Sequence, residues 1–392
     1  MKHILTLRYA PNQNTIISKL VAEDFQVEKP NSNLTNFIED SIKETIKREI
    51  GQGEKISISL SSGVDSTLVL AILRQVYPDN EIESISVKFS DSIDETVSAK
   101  KISEKFETNH NLVYVDNFLE ELPKMISIVK LPFWDLHWYH IAKKAKSLST
   151  IFLSGDGGDE LFGGYTFRYK KFLETTDKNS SKVEKVKAYL KCHERDWVED
   201  QELIFDKSLK FNWNDMHQIL EGYFDNSLPM LSQVMLADFN GKLLYNMLPL
   251  YSKFHNYFEI KNITPILNQK LIRFACKLPN ELKYDSSTNT GKLLLLQLLE
   301  KYKIGNLVSK KKQGFSVDTK NLWNSYGQRI CKYYLDDART SKAGIINQEW
   351  IKKYINQEEL DVRIINKFLG LLALEIWYRL FISKEIDSSE KL

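Results

Sequence analysis

Hydrophobic and polar positions change period several times along the chain, and the changes outline a fold. In NLTNFIEDSIKETIKREI (33–50), isoleucines recur four residues apart, at Ile38, Ile42, Ile46 and Ile50. That spacing predicts an amphipathic helix. GQGEK breaks it, and ISISL (56–60) follows as a short strand. STLVLAILRQVY (66–77) is apolar nearly all round and predicts a buried helix. IESISVKF (82–89) and HNLVYVD (110–116) read as strands around a helix over DETVSAKKISEKF (94–106), whose Ala99, Ile102 and Phe106 share a face. Helical segments run to YHIAKKAKSL (139–148), and TIFLSG (150–155) is a fourth strand. Strands alternating with helices predict an α/β, doubly wound parallel sheet. From about Tyr165 onward the pattern predicts helices and no further strand, giving a mostly helical C-terminal half. Residues 1–34 read as an arm and linker, with LTLRY (5–9) as a short strand and KPNSN (29–33) as a turn. Residues 35–392 read as one domain.

Ligands of such sheets bind beyond the carboxyl ends of the strands. Two Gly-rich turns fall at such ends, Ser61–Ser66 and Ser154–Gly158. In the first, small residues let backbone N–H groups approach an anion at a helix N-terminus. Ser61, Ser62 and Ser66 add hydroxyls, while Asp65 would repel phosphate unless it holds a cation such as Mg2+. The competing explanation is a helix N-cap, where Ser and Asp are favoured without a ligand. A Walker A loop is excluded, because no Gly-Lys-Ser/Thr follows. The second turn, FLSGDGGDELFGGY (152–165), crowds Asp156, Asp159 and Glu160 onto one strand end. Clustered carboxylates repel one another unless a cation or a protonation role compensates. The spacing does not match an EF-hand.

Composition narrows the classes. The chain has 392 residues, 42% hydrophobic and 27% charged, and 54 basic against 52 acidic residues. The balance gives no drive toward nucleic acid or anionic membrane. Cys192, Cys276 and Cys331 form no CxxC or metal spacing, so they read as reduced thiols. FLGLLALEIWYRLFI (368–382) contains Glu375 and Arg379, which predicts a buried helix rather than a membrane span. A cytoplasmic protein is expected.

With both turns in view, the chain resembles the synthetase domain of the asparagine synthetase family, an ATP pyrophosphatase fold. LSSGVDST is similar to that family's pyrophosphate loop, with Ser62 where Gly is usual, and SGDGGDELFGGY to its second signature. KKKQGF (310–315) resembles the Lys-x-Gly-Phe element, with Lys312 as its lysine; TGKLLLLQLL resembles a segment carrying a second lysine, Lys292; LLALEIWYRLF resembles the closing helix. The resemblance implies activation of a carboxylate by ATP, with attack of an amine on the acyl-adenylate. It assigns Ser61, Ser62, Gly63 and Ser66 to pyrophosphate and Asp65 and Asp159 to Mg2+. It sets Val87, Ser154 and Gly155 against the nucleotide, with Lys292 nearby. Lys312 would neutralise developing charge. Asp156 would serve the attacking amine, and Glu259 resembles the glutamate of a Glu-x-Arg-x-Pro-Phe-Leu-Asp element.

Departures fall on the acceptor side. Lys2 stands where glutamine-dependent members have a cysteine, and residues 1–34 are too few for their glutaminase domain. Ammonia would come from solution or a separate glutaminase subunit, or the amine would belong to a substrate, as in relatives that close β-lactam or peptide rings. Lys261 replaces the usual Arg, and PFWDLHWYH (132–140) sets Leu136, His137 and Trp138 where small residues are common. That aromatic stretch reads equally as core or as a pocket for a carboxylate larger than aspartate. The expected ligands are ATP, Mg2+, a small carboxylate and an amine, without nucleic acid or membrane; a homo-oligomer is compatible with this. Two other classes compete: a tRNA-modifying enzyme with a related loop, disfavoured by the neutral charge, and a non-catalytic nucleotide-binding subunit, disfavoured by the acids and lysine together.

Overall fold

A computed structural model of the chain describes residues 1–11, 14–29, 33–90, 92, 94, 96–193, 197–308 and 317–392. The four expected strands form: β1 (Ile56–Ser59), β2 (Ile82–Phe89), β3 (Asn109–Val115) and β4 (Ile151–Leu153). A fifth, β5 (Lys261–Ile263), joins them, and the order is β3-β2-β1-β4-β5 with every pair parallel. β5 corrects the expectation of no strand after Tyr165. Its three residues, two of them polar, are too few to show a period, and pairing with β4 makes it a strand. A small hairpin also pairs Tyr284 with Gly291.

All four residues of β1 are buried, as expected for a central parallel strand covered on both faces. The helices named so far follow the pattern: α2 (Leu34–Glu49), α3 (Val64–Val76) and α4 (Thr96–Lys105), after an amino-terminal α1 (Lys2–Leu7). The Ile38, Ile42 and Ile46 stripe of α2 is fully buried. Each such side chain contributes about 1.5–3 kcal/mol relative to exposure. The chain runs outward from β1 through β2 to β3, then returns to the other side of β1 as β4. The reversal between β1 and β4 is the topological switch point, where crevices of such sheets lie.

α1 corrects the strand expected over residues 5–9. A six-residue helix is marginal by itself. Here Ile4, Leu5 and Leu7 are buried, with α1 against the helices Trp213–Phe224 and Val362–Phe381. Lys367 Nζ donates to the Leu5 carbonyl, and Gln201 Nε2 donates to Thr6 Oγ1 at 3.1 Å. Residues 30–32 of the expected turn lie outside the described residues.

The apolar run near the C-terminus is a helix, Val362–Phe381, with Glu375 fully buried. Its carboxylate accepts from Arg339 N, Thr340 N and Arg379 Nε at 2.9, 3.0 and 2.7 Å. Among the described residues no helix is long and apolar enough to cross a membrane. The three cysteines are unpaired and buried.

Candidate functional site

The chain leaves β1 at Leu60 and enters α3 at Val64, with Gly63 as N-cap and no side-chain capping bond. The N-cap position itself is therefore held by neither Ser nor Asp. The Ser61 and Ser66 hydroxyls lie 3.1 Å apart, and Gly63 N donates to Ser61 Oγ at 3.1 Å. Asp65 sits in the first turn of α3.

The second turn leaves β4 one strand away. Ser154 is fully buried; its N donates to the β5 carbonyl of Ile263 at 3.1 Å and its Oγ to Asp156 Oδ2 at 2.7 Å. Two glycines let this turn lie directly on the first. A Cβ at Gly155 would fall 2.6 Å from Ser66 N, and one at Gly158 would overlap the Asp65 carboxylate.

The two turns share a cation. Lys292 Nζ lies 2.6 Å from Asp65 Oδ2 and 2.7 Å from Asp159 Oδ1. Burial disfavours its charge, but Asp159 and Asp65 more than reverse that, and its pKa stands above the usual lysine value. The two carboxylates thus converge on one point beneath the first turn. Mg2+ commonly takes one or two carboxylates and completes its octahedron with phosphate oxygens and water. The donor set fits that mode. Among the described residues no group of three or more His, Cys, Asp or Glu forms a dedicated metal cage.

Above the turns is a cavity of about 320 Å3. Ser61, Asp65, Ser66, Gly155 and Asp156 line it from the sheet. The facing wall comes from three distant stretches: Arg8; Asp135 to Trp138; and Lys242 to Phe254. The last stretch begins in a π-helical segment, Phe239–Met247, between the α-helices Met230–Asp238 and Leu248–Tyr257. Wider π turns are frequent at functional sites; this one carries Lys242, Asn246 and Met247 into the cavity wall. It is anchored by a buried ion pair: Arg168 Nη1 meets Asp238 Oδ1, which also accepts from Tyr189 Oη at 2.8 Å. Arg168 lies 4.3 Å from the centroid of Tyr165, whose hydroxyl donates to Glu160 at 2.6 Å. The network ties the second Gly-rich turn to the π segment.

The aromatic stretch proves to be both core and pocket. Trp138 stacks on Tyr251 at 4.2 Å and 11° and is itself buried, yet both border the cavity. Trp138 Nε1 donates to His255 Nε2 at 2.9 Å, so that nitrogen carries no proton. Burial holds both His255 and His140 down to about 4. The Tyr251 phenol is held well above its ordinary pKa by burial and then by Asp156 and Asp135, and remains a donor. Arg8 pairs with Asp135 Oδ2, and the Arg8 carbonyl accepts from Asn246 Nδ2 at 2.7 Å.

Of the residues singled out from sequence, Ser61, Asp65, Ser66, Gly155 and Asp156 share this cavity, and Asp159 and Lys292 meet Asp65 at its edge. Ser62, Gly63 and Ser154 belong to the two turns without lining it. Val87 is buried on β2 in register with Val113 and does not line it either. Glu259 is a correction. It precedes β5, at the opposite end of the strands; its side chain is 83% exposed and pairs with Lys146 at 3.1 Å. Lys261 is likewise turned to Glu49, 3.2 Å away. Lys312 lies outside the described residues. Arg8, Lys242, Asn246 and Tyr251 were missed. Lys242, Asn246 and Leu250 recur every four residues, a usable signal for one helical face; Arg8 has none.

Comparison with known proteins points the same way. The chain is 23% identical to the glutamine-hydrolyzing asparagine synthetase 1 of Bacillus subtilis (strain 168), over 93% of this chain and 62% of that protein. It is 31% identical to a putative glutamine-hydrolyzing asparagine synthetase 2 of Methanocaldococcus jannaschii, over 35% of this chain and 28% of that protein. It thus spans less than two thirds of the length of either relative. A solved structure, the U34-tRNA thiolase NcsA of Methanococcus maripaludis, aligns at 15% identity over 60% of this chain and 83% of that one, with a TM-score of 0.27, too low to bear on fold or function. The asparagine synthase family model matches residues 38–379, which contain both Gly-rich turns, Lys292 and most of the cavity wall, and the chain belongs to that family.

Proposed function

We propose that this chain is an ATP-dependent, AMP- and pyrophosphate-forming ligase that adenylates a carboxylate and passes the acyl group to an amine. The observation that carries this reading is the convergence of Asp65 and Asp159 on Lys292 beneath a cavity that also holds Asp156. In this scheme Ser61, Ser62, Gly63 and Ser66 grip the pyrophosphate at the N-terminus of α3. Asp65 and Asp159 would hold Mg2+, which supplies charge neutralisation to the phosphates. Lys292 keeps these carboxylates from repelling one another. Ser154 and Gly155, with the backbone around Val87, border the nucleotide.

Ser154 orients Asp156 through the 2.7 Å bond to its Oδ2. Asp156 receives the proton that an attacking ammonium must lose before its lone pair reaches the acyl carbon. Lys312 neutralises charge developing at the α-phosphate and acyl oxygen, a role taken from the family element in which it sits. The amine is ammonia, free or delivered by a separate glutaminase subunit. A tailoring amidotransferase or cyclase acting on a larger carboxylate is a second reading, favoured by Leu136, His137 and Trp138 in the cavity wall.

Release of AMP and pyrophosphate from Mg-ATP tests the proposal, with aspartate and ammonium against a panel of other carboxylates. AMP with aspartate, in step with asparagine, supports the simplest form. Turnover only with another acid supports the tailoring form. Release of ADP and phosphate instead, or no carboxylate-dependent turnover with any acid, would refute both.

A further inference from the structure

Three acids (Asp65, Asp135, Asp156) and two cations (Arg8, Lys242) line the cavity. An anionic substrate therefore enters against net negative charge unless it meets a cation directly. Neither cation belongs to a Gly-rich turn. Arg8 comes from the amino-terminal segment, which the sequence presents as an arm.

Arg8 is held in place at both ends. Its backbone is in the left-handed region, φ 60°, at the end of α1. Asn246 of the π segment binds its carbonyl at 2.7 Å. Its guanidinium pairs with Asp135 and lies 5.6 Å from the centroid of Trp134. Such a guanidinium is a pre-oriented fork for a carboxylate and loses little freedom on binding one. The support extends further back. Lys367, only 4% exposed, binds the Leu5 carbonyl, and α1 is buried on two helices. That is a large investment of buried contacts for a segment with no role at the site.

We propose that the amino-terminal segment completes the acceptor site, with Arg8 as a specificity-determining residue that, together with Lys242, binds a second carboxylate of the substrate, distinct from the one that is adenylated. Asp135 and Asn246 act as positioning residues for Arg8. The inference rests on the ligase reading of the same cavity, and its test separates the two.

The full chain is titrated calorimetrically, without ATP, with pairs of acids of equal chain length: succinate and butyrate, glutarate and pentanoate, aspartate and 2-aminobutyrate, glutamate and 2-aminopentanoate. At least one dicarboxylate is expected to bind 10-fold or more tightly than its monocarboxylate partner. Arg8→Gln should remove most of that preference, and Arg8→Lys should keep part of it. Lys242→Gln, on a different element, should reduce the preference as well, and decides the matter if Arg8→Gln fails to fold. ATP binding should change less than twofold in each variant. Equal binding within every pair, no binding at all, or a preference that survives both neutralising variants overturns the proposal. So does an equal loss of ATP affinity, which would put the cations on nucleotide phosphate. AMP release is read on the same panel. A binding preference without turnover sinks the ligase reading and leaves Arg8 and Lys242 as a dicarboxylate-binding pair only; turnover with specificity unchanged in Arg8→Gln sinks this inference and leaves the ligase reading standing.

Discussion

The sheet side of the cavity and its facing wall are built differently. On the sheet side, two contiguous runs, Ser61–Ser66 and Ser154–Asp159, each start within two residues of a strand end. Backbone packing at Gly155 and Gly158 sets their relation, and one lysine joins their acids. The facing wall gathers Arg8, Asp135, Trp138, Lys242 and Tyr251, residues far apart in sequence. It is positioned by bonds from side chains: Arg168 to Asp238, Trp138 to His255, Asn246 to the Arg8 carbonyl. A wall set by strand ends is as rigid as the sheet. A wall set by side-chain pairs can be re-cut without disturbing the sheet, which under the proposed ligase function would keep the nucleotide half while the carboxylate changes.

The contrast can be broken most severely at its joint. Arg168→Ala leaves Asp238 buried without its cation and should destabilise the protein by about 3–5 kcal/mol. Thermal or urea unfolding checks it, and a loss below about 1 kcal/mol would mean the π segment is anchored by other means. Asp65→Asn attacks the sheet side instead. It should lower AMP release by about 10^2–10^3-fold, equivalent to roughly 2.7–4 kcal/mol, and, because Lys292 keeps Asp159 as a partner, should cost less stability than Arg168→Ala. A variant that kept wild-type turnover would remove Asp65 from the chemistry.

The packing behind the facing wall should also carry a pH signature. His140 and His255 have folded pKa values of about 4 against an ordinary 6.5, through burial. As pH falls, the unfolded chain takes up these protons first. Stability is therefore full above pH 6.5 and is lost between 6.5 and 4, by roughly 3 kcal/mol per histidine. Unfolding curves across that window, with His140→Leu flattening the dependence, would test this; a dependence unchanged by His140→Leu would argue that other groups carry it. The smallest effect is expected away from both walls. Glu259→Ala breaks only an exposed pair and should shift stability by less than about 0.5 kcal/mol. Its kcat/KM should be unchanged, and a large loss would return Glu259 to the site.

The sheet side was legible because each of its features is local. A four-residue buried strand, a run of small residues and a helix start must be contiguous for a turn to cradle an anion, so SSGVDS and SGDGGD announce themselves. The expected Lys261 and Glu259 positions failed for the same reason in reverse. Their assignment rests on resemblance to a short family element, and the structure sets Glu259 just before, and Lys261 at the start of, a three-residue strand at the other end of the sheet.

Sequence by itself determined the alternation of strands and helices, the parallel sheet, both Gly-rich turns and the acids they carry. Period and composition act over a few residues, and these features need nothing more. Tertiary structure alone decided that residues 2–7 are a helix rather than a strand, that KNI is a strand, and that Arg8 lies across a cavity from Asp156. Each of those outcomes depends on partners far along the chain: the Val362–Phe381 helix for α1, β4 for β5, and Asp135 and Asn246 for Arg8. Local preference at these positions is weak, and burial and long-range hydrogen bonds outweigh it.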